Sequence, residues 1–179
     1  VFETFYELYA KVKGKSHWGD KTPENLLHID LIKYYFPNAK IVNVIRDGRD
    51  VKLSWDNIAF GKAGTVYMAK LWQEYVVLAD KFSKKYSKDF LTVKYEDLLI
   101  GPEVEIKKIL KFIEEPYDSK IFDNYLAHKD DVGHAKSKLH GKKISKSNLT
   151  KWKTKMANRD LILFETIAHK ELEKEGYEL

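Results

Sequence analysis

The stretch 40-KIVNVIRDGRDVKLSW-55 decides how the chain is read. Ile41, Val42, Val44 and Ile45 make a short, β-branched apolar run, which predicts a core strand. The run stops at Arg46-Asp47-Gly48-Arg49-Asp50, and helical spacing follows from about Asp50 to Phe60. In open α/β sheets, ligands bind just beyond the carboxyl ends of strands. Arg46 is a planar, permanently charged donor suited to phosphate. With Asp50 capping the next helix, Ser54 lies about one turn in and faces the same anion, and backbone amides at the helix start add donors. The same residues also fit a plainer arrangement, a rim ion pair between Arg46 and Asp47 or Asp50.

Upstream, Phe2, Phe5, Leu8, Tyr9 and Val12 recur at helical intervals, and Gly14 stops that helix. Residues 16–20 form a loop or a third short strand. Thr22 then suits a helix cap and Pro23 the first helical position, predicting a helix from Pro23 to about Tyr35. Downstream, 61–64 is a break, and Thr65 opens a long helix to about Tyr86. A second strand is predicted at 90-FLTVKY-95, followed by a turn or short helix at Glu96–Leu99. From Pro102 a helix carries Ile106, Ile109, Leu110 and Ile113 at i, i+3, i+4, i+7, and Pro116 ends it. Ile121 to Leu126 reads as a shorter helical piece, Ala127 to Thr150 as a long lid or binding loop, and about Asn158 to Glu175 as a helix closed by Gly176. Helices alternating with two strands give an α/β class with a parallel sheet, and no linker or internal repeat divides the 179 residues, so one domain is expected.

Composition narrows the function classes. The chain is 44% hydrophobic and 33% charged, a globular balance. No apolar run approaches the roughly 20 residues of a membrane span. With no cysteine, disulfides, thiolate catalysis and Cys-based zinc sites are excluded, and a reducing cytoplasm is the default compartment. The net charge of +5 suits an anionic ligand. The most basic stretch, Lys136 to Lys155, has no Asp or Glu and a single Trp. Val1-Phe2-Glu3-Thr4 reads like the interior of a helix, so the expectation is that the sequence starts partway into a longer product.

Three further constellations could carry chemistry. Lys21, in Gly19-Asp20-Lys21-Thr22-Pro23, stands at a predicted helix entrance where it can neutralise charge on a transferring group, or simply be an exposed cap-region lysine. Tyr95 ends the second strand on the same sheet edge as Arg46, as a ligand contact or as a core tyrosine with a wet tip. Lys151-Trp152-Lys153 can close over a nucleotide, or form a solvated basic segment anchored by Trp152. The six histidines make no HxxxH pair, and neither Gly-x-Ser-x-Gly nor a complete Walker loop occurs.

In this order, the pieces resemble the sulfotransferase family, whose cofactor is 3′-phosphoadenosine 5′-phosphosulfate (PAPS). Arg46 to Ser54 resembles its 3′-phosphate segment, Arg-Asp-x-Arg-Asp-Val-x-x-Ser. Trp18 to Pro23, with Phe36-Pro37-Asn38-Ala39-Lys40 ahead of the Arg strand, is similar to bacterial and tyrosylprotein-type members. Val93 to Leu98 and Leu149 to Trp152 resemble the family's Tyr-Glu-Asp strand end and its late nucleotide-covering segment. The resemblance implies a P-loop-NTPase-like, three-layer parallel sheet flanked by helices. The family's first strand and Gly-rich 5′-phosphosulfate loop would precede the sequence shown.

The implied reaction is in-line transfer of a sulfuryl group from PAPS to an acceptor hydroxyl or amine, without a metal. Arg46 and Ser54 would hold the 3′-phosphate of PAPS or of adenosine 3′,5′-bisphosphate. Lys151, with Ser137 or Lys153, would close over it. Tyr95 would line the pocket, and Lys21 would be catalytic, stabilising charge on the sulfuryl or bridging oxygens. The general base stays open among His17, Glu3, Glu7 and a residue ahead of the sequence. A small-molecule, glycan or peptide acceptor is expected, with no nucleic-acid partner. Two other readings are a P-loop-type kinase fragment and a non-catalytic module that binds RNA or another polyanion.

Overall fold

The structure is a computed structural model and describes residues 2–57, 63–122, 146 and 149–179. These residues form two compact units, Val1–Pro37 and Asn38–Leu179.

In the first unit, α1 (Phe2–Val12) stops where expected. Gly14 takes φ +64°, its amide bonds the Lys11 carbonyl, and the Lys15 amide reaches back to Ala10. This left-handed residue satisfies carbonyls that a helix end otherwise leaves open. Residues 16–20 form no strand, which leaves the loop of the two alternatives. Trp18 stacks on Tyr6, with centroids 4.5 Å apart, and meets Phe36 edge-on. The helix predicted from Pro23 divides into a 3-10 turn, Pro23–His28, and α2, Ile29–Tyr35. Thr22 makes no side-chain cap, so nothing forces α-helical geometry on the first turns.

The second unit is built on two parallel strands, β1 (Ile41–Ile45) and β2 (Phe90–Lys94), in the register Ile41↔Phe90 to Ile45↔Lys94. The parallel pairing is as expected, and among the described residues the sheet has two strands. Val44 is therefore half exposed, although β1 reads as a core strand. Between the strands lie α3 (Gly48–Trp55) and α4 (Thr65–Lys85). After β2 come α5 (Tyr95–Ile100) and α6 (Pro102–Phe112), which abut at Gly101 with Pro102 opening the second. α7 (Trp152–Lys155) and α8 (Asn158–Lys174) complete the unit. The piece expected at Ile121–Leu126 and the long loop fall almost wholly outside the described residues.

α4 and α8 run side by side in the same direction. Thr65 Oγ1 donates to Asp160 at 2.6 Å near their starts, Gln73 reaches the Ile167 carbonyl and Glu171 midway, and Lys174 pairs with Asp80 near their ends. Their facing stripes, with Ile45 from β1, form the core of Ala69, Trp72, Val76, Phe164, Ala168 and Leu172. This stripe at helical spacing is what holds both helices, since burial rather than propensity stabilises most helices in proteins. Gly48 lies against this core. A Cβ there would stand 2.5 Å from Phe164 Cζ and 2.6 Å from Trp72 Cδ2. The glycine is required by close approach, not by a positive φ. Among the described residues, no helix is long and apolar enough to cross a membrane.

Candidate functional site

The register places the site. Ile45 pairs with Lys94, so the next residues, Arg46 and Tyr95, leave the two strands side by side. The Arg46 guanidinium lies 4.8 Å from the Tyr95 ring centroid, within cation–π range. Its Nη1 donates to Ser54 Oγ at 3.0 Å, and its Nη2 stands 3.6 Å from Asp50 Oδ2. Asp50 and Ser54 are four apart on α3 and so share a face. Trp72 Nε1 donates to the Arg46 carbonyl at 2.9 Å, tying the strand end to the core. The Arg46 side chain keeps 17% of its surface, and Ser54 is exposed. A planar donor, a hydroxyl and an aromatic face thus meet at the carboxyl end of a parallel strand. That donor set suits an oxyanion beside an aromatic ring system.

The cap of α3 is Asp47, not Asp50. The Asp47 side chain accepts from the Arg49 amide at 2.9 Å, while Asp50 is buried and faces inward. Asp50 Oδ1 accepts from the Trp152 amide at 2.9 Å. Burial raises the Asp50 carboxyl above its usual range, against the lowering effect of that amide and of Arg46.

Arg49 had no role in the sequence reading, and the structure makes it the hub behind the site. It is fully buried. Its Nε and Nη2 grip both Asp47 oxygens at 3.0 and 2.8 Å, Nη1 donates to Glu165 at 2.6 Å, and Nη2 also donates to the Glu178 carbonyl at 2.6 Å. Its guanidinium lies 3.6 Å from the Trp152 ring centroid. Burial disfavours the cation, but the hydrogen bonds and charges of Asp47 and Glu165 outweigh it and raise its pKa. The other anchor is Glu96, which accepts from the Asp47 amide at 3.0 Å and from Tyr177 Oη at 3.3 Å. Burial and the Glu96 charge push the Tyr177 phenol up.

Arg46, Ser54 and Tyr95 are therefore brought together directly. Lys151 precedes Trp152, whose amide donates to Asp50. Lys153 pairs with Glu178, which draws the Glu178 carboxyl below its usual range. Ser137 lies outside the described residues. Lys21 belongs to the first unit and is exposed. Among the described residues, no group of three His, Asp or Glu is placed to hold a metal.

A sequence model described as "Sulfotransferase family" matches residues 1–119, about two thirds of the chain. The chain belongs to the sulfotransferase family. Two curated relatives extend the match. An uncharacterized protein of Aquifex aeolicus (strain VF5) is 28% identical over 143 residues, covering 75% of this chain and 18% of that protein. Protein-tyrosine sulfotransferase A of Caenorhabditis elegans is 29% identical over 140 residues, covering 73% of this chain and 33% of that protein. This sulfotransferase-family chain thus spans a third or less of the length of these relatives. The family match includes β1, Arg46, Ser54, β2 and Tyr95, and it stops before Lys151.

Proposed function

We propose that the chain carries the 3′-phosphate side of a PAPS site and serves transfer of a sulfuryl group to an acceptor hydroxyl or amine. The observation that supports this most is the convergence of Arg46, Ser54 and Tyr95 at the paired ends of β1 and β2. PAPS supplies an activated sulfuryl group on a nucleotide that also bears a 3′-phosphate. In this reading Arg46 and Ser54 bind that phosphate, trading their mutual hydrogen bond for bonds to its oxygens. Tyr95 lines the nucleotide pocket. Lys151, with Ser137 or Lys153, covers the phosphate, and Lys153 must leave Glu178 to do so. Lys21 is the catalytic cation for the sulfuryl oxygens.

The fold that goes with this reading is a P-loop-like sheet with helices on both faces. Val44 supports it, because apolar strands in parallel sheets are ordinarily covered on both faces. The acceptor class is a small molecule, glycan or peptide. The reaction is read as cytoplasmic and independent of metal and nucleic acid.

Calorimetry with adenosine 3′,5′-bisphosphate tests the site. Arg46→Ala should weaken binding by about 10–100-fold, the worth of a charge-assisted hydrogen bond or two. Unchanged affinity overturns the assignment. A thermal-shift comparison of the bisphosphate, ATP and RNA separates this reading from a kinase fragment and from a polyanion-binding module. The last predicts steeply salt-dependent RNA binding with no nucleotide preference.

A further inference from the structure

Behind Arg46 lies a buried cluster whose geometry asks for an arginine. Trp152 is buried and touches two residues in the first turn of α3. Its ring lies against the Arg49 guanidinium at 3.6 Å, and its amide donates to Asp50 Oδ1 at 2.9 Å. The other Asp50 oxygen is 3.6 Å from Arg46 Nη2. One carboxylate thus joins the peptide between Lys151 and Trp152 to the guanidinium that faces the ligand. Arg49 has little freedom to turn. Asp47, Glu165 and the Glu178 carbonyl hold its edges, and the indole covers a face. A lysine could keep the charge there but not the planar stack or the two-pronged grip on Asp47.

We propose that Arg49 is a positioning residue of the phosphate site: by holding Trp152 over α3 it sets Lys151 against Arg46, with Asp50 as the spacer. The proposal rests on the PAPS-site reading above. Arg49 touches no ligand and acts through Lys151. A purely structural role would weaken every nucleotide alike. A positioning role weakens only the response to the 3′-phosphate, and only while Lys151 is present.

A double-mutant cycle in the full-length protein tests it. Calorimetry measures adenosine 3′,5′-bisphosphate and adenosine 5′-monophosphate on wild type, Arg49→Lys, Lys151→Ala and the double variant. Each single change should weaken the bisphosphate about tenfold, and the double no more than Lys151→Ala alone, with monophosphate affinity unchanged throughout. Effects that multiply to about a hundredfold, or a parallel loss of monophosphate binding, overturn the proposal. If Arg49→Lys does not fold, Trp152→Phe, which shrinks the stacked face and keeps the amide, takes its place in the cycle with the same outcomes. A wild type that does not prefer the bisphosphate sinks the PAPS-site reading and this proposal together. A clear wild-type preference with an additive cycle sinks only the role of Arg49.

Discussion

Replacing Gly48 by alanine separates two reasons for a glycine in the turn after β1. Gly48 is the first residue of α3 and has no positive φ. If backbone freedom were its purpose, alanine would suit the site better and should stabilise by about 0.4–1 kcal/mol. The contacts say the reverse. The new Cβ would lie 2.5–2.7 Å from atoms of Phe164 and Trp72, where carbon atoms ordinarily stay about 3.5–4.0 Å apart. Relief needs a ring shift on the order of 1 Å. Phe164 is fully buried, and Trp72 is held through its Nε1 bond to the Arg46 carbonyl. Overpacking of a tight core costs about 1–3 kcal/mol, and losing the Trp72 bond costs about 1 more. Set against the propensity gain, the net is a destabilisation of about 1–3.5 kcal/mol, or roughly 2–14 °C in Tm for a chain of this size. Differential scanning calorimetry with urea unfolding measures it. A Tm equal to wild type or higher would refute the steric argument.

Two further outcomes follow from the same structure. Glu114 takes φ +62° just past α6, where its amide and that of Glu115 return to Lys111 and Leu110. Glu114→Gly should raise stability by about 1 kcal/mol, since the left-handed region burdens an L side chain, and an unchanged urea midpoint would contradict this. Asp50 has a raised pKa in the folded state, so the stability it contributes is fully present below the ordinary aspartate range and is lost as pH rises through the raised value. The stability difference between wild type and Asp50→Asn should therefore move in favour of the variant as pH rises from about 4, the ordinary aspartate pKa. Asp80, Glu103 and Glu178, all lowered, have the opposite slope but are common to both proteins, and parallel pH profiles would rule the effect out.

The two strands, the long helices and the Gly14 and Gly176 stops were legible because each is written in local spacing. The approach of Arg46 to Ser54 was legible for the same reason, eight residues apart around one strand end. The expected helix at Pro23 was half right, since Thr22-Pro23 marks a helical entrance but cannot choose between 3-10 and α geometry. The steric role of Gly48 has no local signal, because the rings that crowd it come from positions 72 and 164. Arg49 was missed because two of its partners lie 116 and 129 residues away. One local signal did exist. A cation in the first turn of a helix opposes the helix dipole, so Arg49 between Asp47 and Asp50 demanded a special environment.

The distance from Arg49 to Glu178 also bears on how the protein is made. At about 5–20 residues per second, the ribosome reaches Glu178 some 6–26 s after Arg49. Until Glu165 and Glu178 emerge, Arg49 lacks two of its hydrogen-bonding partners and cannot be buried as it is in the complete fold. The packing of Arg49 behind α3 is thus completed only once residue 178 has been made. A nascent chain released before that point would carry Arg46 and Ser54 and still lack the finished packing behind them.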